Sequence, residues 1–291
     1  MKKKILVTGA TGNVGKYVIK ELLKMGEKIV AAGTDLNKLK GIFDSNTGVD
    51  IALFDFTKND TFKNALKDVD RVFLMRPPHL GKPEELYPFI DAMKDNNIKL
   101  VSFLSLMGIE KNTIPPHYKI EKYIENSKIP YAHIRPGFFM QNISGVHAVE
   151  IREMDQIFVP AGKSKTSFID AADIGLAIAT VLNQVDKYKN TAHTITGGKA
   201  LDYYQVAEIL SKVLERKITY ANPGYLKYRN YYIKKRGLNK SYVNVTIALY
   251  FMTRMGTAAE VTDGFFNLTG KKPGSLEEFV INNRESFTKK P

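Results

Sequence analysis

Residues 7–15 read VTGATGNVG. An apolar run, Ile5-Leu6-Val7, leads into the first glycine, and a helical pattern opens at the last. Val14, Val18, Leu22 and Met25 recur there at helical spacing. Between a strand and a helix each glycine has a task. Gly9 permits the tight turn, Gly12 leaves the backbone open to a pyrophosphate, and Gly15 lets helix and sheet pack closely. The N–H groups at the helix start then face the phosphates. The stretch is read as a dinucleotide loop drawing on Gly9, Thr11, Gly12, Asn13 and Val14.

Outward from that loop, six short apolar runs recur: KILVTG, KIVAAG, DIALFD, RVFLMR, KLVSFLS and YAHIRPG. They are continuous rather than alternating, which predicts strands covered on both faces. Helical patterns lie between them, over 14–25, 61–69 and 85–95. Strand alternating with helix predicts an α/β fold, a Rossmann-type doubly wound parallel sheet. After Gly137 the rhythm changes. KTSFIDAADIGLAIATVL reads as a strand and then a helix, and TAHTITG (191–197) as a further strand. Asp202 with Gln205, and Ser275 with Glu278, have capping-box spacing. Residues 219–270 are basic, aromatic and poorly periodic. The predicted organisation is a Rossmann domain over 1–147, to which 171–197 returns, and a smaller α+β lobe from 148–170 and 198–291. Ligands of such sheets sit beyond the strand C-termini, so a cleft between the lobes is the expected site.

Composition bounds the function. The chain has 291 residues, 44% hydrophobic and 25% charged, ordinary for a globular protein. It has no cysteine, which excludes disulfides, thiolate metal sites and cysteine nucleophiles. The apolar run after the basic head is too short for an export signal, and no stretch is long enough to span a bilayer. A cytoplasmic location is expected, with no membrane partner. The net charge is +13. The densest basic stretch, 225–240, mixes Lys and Arg with Tyr, but no nucleic-acid motif accompanies it, so it is read as an exposed loop or helix face.

The second run ends in Gly33, Thr34 and Asp35. Asp35 stands twenty positions after Gly15, where an acid accepts ribose hydroxyls and repels a 2′-phosphate. Lys38 and Lys40 could instead hold that phosphate, so NAD and NADP both stay open. Asp55 and Phe56 at the third run could bracket an adenine, or Asp55 could simply cap a helix. Met75 and Pro77 after the fourth run, with Gly137 and Phe138 after the sixth, complete the expected cofactor set. No metal is expected, because the histidines lack metal-ligand spacing.

Tyr118 and Lys122 have the spacing of a dehydrogenase Tyr–Lys pair. At about 100° per residue, Ile120 and Ile124 form the inward face of that helix, and Tyr118 and Lys122 fall opposite. His117 lies within about 60° of Ile120, toward the interior. Ser105 ends the fifth run, where its hydroxyl could bond a substrate carbonyl or satisfy a backbone group.

VTGATGNVG, ALFDFTKNDTFKNALKDVDRVFLMRPP, SFLSLMG, IPYAHIRPGFFMQN, SFIDAADIG and LTGKKPGSLEEFV, in this order, resemble the NmrA-like branch of the atypical short-chain dehydrogenase/reductase superfamily. The resemblance spans nearly the whole chain. It implies a Rossmann domain with a small C-terminal lobe. It also implies one of two functions: an NAD(P)H-dependent reductase, quinone reductases included, or a dinucleotide-binding redox sensor that acts on a regulatory protein. NADP-binding members usually carry Arg where this chain has Thr34. Counting back from Arg135 along the family pattern, the catalytic lysine position falls on His117 and the tyrosine position on Thr113. His117 and Ser105 are therefore the expected catalytic residues, acting on a small-molecule acceptor without a Tyr–Lys pair.

Overall fold

Ile5, Leu6 and Val7 have no solvent exposure, and neither do Val72, Phe73 and Leu74. Three consecutive buried side chains require cover on both faces of a strand. The computed structural model describes residues 3–289; Met1 and Lys2 of the basic head, with Lys290 and Pro291, lie outside them. The six runs form β1 (Lys4–Thr8), β2 (Ile29–Gly33), β3 (Val49–Leu53), β4 (Val69–Met75), β5 (Leu100–Leu104) and β6 (Tyr131–Pro136). Further along come β7 (Phe138–Phe139), β8 (Gln156–Ile157), β9 (Thr166–Ile169), β10 (Thr191–Ile195), β11 (Ala200–Leu201) and β12 (Thr219–Tyr220). Seven of these make one parallel sheet, in the order β3-β2-β1-β4-β5-β6-β10. The order reverses between β1 and β4, which is the switch point where such sheets bind ligands. β3 departs from the run pattern. It is an edge strand, and only Ala52 within it is buried.

The chain divides into two units. One comprises 1–136, 171–195 and 264–271; the other 137–170, 196–263 and 272–291. The chain thus leaves the first unit after Pro136 rather than at 147. It also returns to that unit once more than the sequence suggested, through the helix Gly264–Thr269, which packs on β10 and on the helix Ala171–Asn183.

In the first unit the helix Gly15–Lys24 packs against Ala171–Asn183. Gly175 makes that approach possible, since a Cβ there would lie 2.5 Å from the Tyr17 Cβ. Beneath them Arg71 is buried and forks both oxygens of Glu27 at 3.1 Å, with Asp70 also at 3.1 Å. In the second unit β11-β9-β7 form a small sheet, and β8 pairs with β12. Both expected capping boxes are present, at Asp202/Gln205 and Ser275/Glu278. Its core encloses a polar cluster. The two ring nitrogens of His147 meet the Tyr232 and Tyr250 hydroxyls at 2.9 and 2.7 Å, and Tyr232 donates to Glu150, which Arg236 also binds.

Candidate functional site

The glycine loop forms the turn between β1 and the helix Gly15–Lys24. Gly9 takes a left-handed φ of 60°. A Cβ there would lie 2.3 Å from the Met75 sulfur, so the end of β4 closes over the loop. The Thr8 hydroxyl ties the same two strand ends together, donating to the Phe73 carbonyl at 3.0 Å and accepting from the Met75 N–H at 3.1 Å. Gly12 donates to the Gly9 carbonyl at 2.9 Å, and a Cβ on Gly15 would lie 2.3 Å from that oxygen. Thr11 and Gly12 are half-buried and Asn13 is exposed. No side chain caps the helix, and its first turn holds no acid. Of its leading N–H groups, those of Lys16 and Tyr17 donate to the Gly12 and Val14 carbonyls at 3.4 and 2.9 Å. A glycine turn leading into an uncapped, acid-free helix start suits the pyrophosphate of a dinucleotide.

At the end of β2, Thr34 and Asp35 are exposed. Asp35 caps the next helix, accepting from the Lys38 N–H at 2.9 Å, so one carboxylate oxygen already has a partner. Asp55 folds its own turn. Its Oδ1 accepts from the N–H and hydroxyl of Thr57 at 2.9 and 2.8 Å, and these bonds hold its carboxyl below the usual range. Phe56 corrects the expectation that it would flank an adenine. Its ring is buried in the core, edge-on to Phe54 at 4.7 Å and to Phe89 at 5.6 Å.

Beyond β4 and β5 the chain gathers buried polar atoms. Ser105 is buried and its Oγ has no hydrogen-bond partner; the same holds for Nδ1 of His117 and Nε of Arg76. His117 sits in the first turn of the helix Pro116–Ser127, its ring stacked 5.9 Å from that of Phe103. Burial, and then the charge of Arg76, push its pKa down to about 3. Arg76 itself reaches the carbonyls of Pro77 and Leu80, bracing the loop after β4. The sequence reading missed Arg76. Its only signal there was a charge ending an apolar run, RVFLMR, whereas its function as His117's neighbour depends on the fold. Buried donors and acceptors without partners are rare in folded proteins and are explained most simply by a ligand or water.

Lys122 is exposed, its ammonium on Glu125 at 2.6 Å and 5.9 Å from the Tyr118 ring. Gly137 and Phe138 belong to the second unit. Gly137 has a packing reason of its own, because a Cβ would lie 2.6 Å from the Ser167 carbonyl. The fold also assembles Glu121, Glu125 and His133 with ligand atoms within 4.8 Å of one another. Both carboxylates are already matched with cations, Glu121 forked by Arg135 and Glu125 held by Lys122. A metal ion there would meet two neighbouring positive charges.

The NmrA-like family matches residues 1–260. Prestalk A differentiation protein A of Dictyostelium discoideum is 31% identical over 298 residues, covering 100% of this chain and 97% of the relative. The NAD(P)H azoreductase of Xenophilus azovorans is 27% identical, covering 97% and 99%. Among solved structures, an NADPH-dependent quinone oxidoreductase from Escherichia coli, in complex with NADPH, superposes with a TM-score of 0.84 at 23% identity, covering 96% of this chain and 99% of its own.

Proposed function

The chain belongs to the NmrA-like family, and from that membership we propose that it is an NAD(P)H-dependent reductase of an activated acceptor such as a quinone. The observation that carries this reading is the set of unpartnered polar atoms, Arg76 Nε, Ser105 Oγ and His117 Nδ1, beyond β4 and β5 of a sheet whose glycine loop suits a dinucleotide. A bound NAD(P)H supplies the hydride. The chain's own task is to hold the acceptor and to stabilise the oxygen that gains negative charge, which needs a hydrogen-bond donor rather than a strong base. His117 is kept neutral by burial and by Arg76, so its imidazole carries one N–H to donate. Ser105 offers a hydroxyl at the same strand ends.

Consumption of NADH and NADPH with a panel of quinones tests the proposal. Turnover is expected with at least one. Tight dinucleotide binding with no turnover on any acceptor would favour the redox-sensing alternative.

Within this reading His117→Ala lowers turnover by tens-fold, since one donor is lost while the hydride source remains. Tyr118→Phe and Lys122→Met leave it nearly unchanged. Steady-state constants of the three folded variants decide the matter. A hundredfold loss in Tyr118→Phe beside a silent His117→Ala would restore the Tyr–Lys pair. Thr34→Arg tests cofactor choice. The new guanidinium gives a charge-assisted contact to a 2′-phosphate. Affinity for NADPH over NADH should rise by about tenfold, or ~1.4 kcal/mol. A parent that already prefers NADPH by that margin would assign the phosphate contact to Lys38 or Lys40.

A further inference from the structure

The helix Lys240–Arg254, in the second unit, turns one narrow stripe inward: Val243, Tyr250 and Thr253 are buried. At about 100° per residue, Val245, Ala248, Met252 and Met255 fall on the opposite side with Ser241 at the helix start, and Leu249 flanks them beside Thr253. Past Ser241 and Asn244 that outward side is apolar and open to water, with Val245 56%, Met252 39% and Met255 69% exposed and Leu249 beside them 47% exposed. A contiguous apolar face of this length marks a docking surface.

The surrounding charge selects the partner. From Arg216 to Ala259 the chain carries nine Lys or Arg and no Asp or Glu, and two of the nine, Arg216 and Arg236, are matched by Asp155 and Glu150 from outside the segment. Lys217, Lys227, Lys234, Lys235 and Lys240 are exposed. Cations also border the helix directly. Lys240 opens it, Arg229 donates to Asn244 at 3.1 Å, and Arg254 lies 5.2 Å from the Tyr225 ring.

We propose that this face docks on the surface of an anionic phospholipid bilayer. The aliphatic side chains enter the boundary of the acyl region while the lysines meet phosphate headgroups. A second copy of the chain fits less well, because a two-fold contact would set this acid-free segment against itself. A nucleic acid fits less well too, since it needs cations or stacking rings at the centre of the contact, and here the centre is aliphatic. No helix among the described residues is long and apolar enough to cross a membrane, so the attachment is to the surface. The expectation of no membrane partner rested on the lack of a spanning run. An interfacial face becomes visible only once the outward side of the helix is known. The inference goes beyond the reductase reading and does not depend on it.

Co-sedimentation with vesicles tests it without any turnover assay. The full chain is mixed with phosphatidylcholine vesicles with and without phosphatidylglycerol. Binding is expected only to the anionic vesicles, weakening about tenfold or more in high salt. The double variant Leu249→Asp, Met252→Asp changes exposed positions only. It should bind at least about tenfold more weakly, with circular dichroism and NADPH affinity unchanged. A separate Lys234→Glu, Lys235→Glu variant should lose binding as well. Equal sedimentation of parent and Leu249→Asp, Met252→Asp overturns the proposal. So does a parent that ignores anionic vesicles. Dissociation of a parent dimer by the same double variant in sedimentation velocity, without any vesicle binding, assigns the face to a second copy. Binding of single-stranded DNA that survives the double variant, again without vesicle binding, assigns the charge to nucleic acid.

Discussion

Gly12→Val is expected to abolish dinucleotide binding while the protein still folds. The two halves of that result have separate causes. Gly12 lies outside the left-handed φ region, and a Cβ there meets nothing closer than the Gly9 carbonyl, at 3.1 Å. A small backbone adjustment relieves that contact, so the fold survives. The added methyls nevertheless stand on the half-buried outer side of the loop, before an uncapped helix start. They occupy the space through which a pyrophosphate reaches the N–H groups. Affinity for NADPH should fall by more than about a hundredfold, or ~2.7 kcal/mol. Gly9 would be a poorer probe. Its φ of 60° and the Met75 sulfur above it would make a folding defect and a binding defect inseparable. Titration of NADPH fluorescence against parent and variant, with circular dichroism of both, gives the answer. Equal affinity would remove the loop from the nucleotide site and undercut the reductase proposal with it.

That loop was legible in the sequence because its constraint is local: three glycines, a strand before them and a helix after. The same holds for β1, β2, β4, β5 and β6, whose apolar runs reflect burial on both faces, and for the two capping boxes, whose partners stand three residues apart. The inward side of His117 was also legible, since Ile120 and Ile124 mark the buried face of its own helix. Other features are set by partners distant in sequence. Phe56 reads like a surface ring after a strand, yet Phe54 and Phe89 enclose it in the core. Arg76 acquires its meaning from His117, on another element. The stretch 219–270 hid its helices because Lys240–Arg254 is apolar on its outward side as well as its inward one, which erases the helical period. The return of Gly264–Thr269 to the first unit rests on Phe265 and Leu268, two buried residues in a short helix with no longer pattern around them.

Acidification between pH 7 and pH 5 is expected to destabilise the protein well before its carboxylates titrate, because two histidines are buried neutral. His117 and His147 both have their pKa values pushed down to about 3, in each case first by burial and then by a neighbouring arginine, Arg76 or Arg236. An unfolded chain returns both to about 6.5. As the pH falls below 6.5 the unfolded state takes up protons that the folded state refuses. The stability these groups confer is therefore complete above that value and drains away toward pH 3. From pH 7 to pH 5 the loss is about 2 kcal/mol for each histidine at ~1.4 kcal/mol per unit. His193, half-buried and lowered in the same direction, adds to the trend. Glu125, held down to about 2 beside His133 and Lys122, gives up its share only as the pH falls below the ordinary carboxylate value of about 4.3, outside the span from pH 7 to pH 5. His147 is the cleaner probe, since it lies in the second unit and outside the proposed site. His147→Gln keeps an amide donor and a carbonyl for the Tyr232 and Tyr250 hydroxyls but cannot titrate. Urea melts of parent and variant at pH 7, 6 and 5 should show the parent losing stability steeply and His147→Gln losing about half as much. Identical pH slopes would mean that His147 already carries its proton in the fold, with the Tyr232 and Tyr250 hydroxyls both accepting from it and the Glu150 carboxylate balancing its charge.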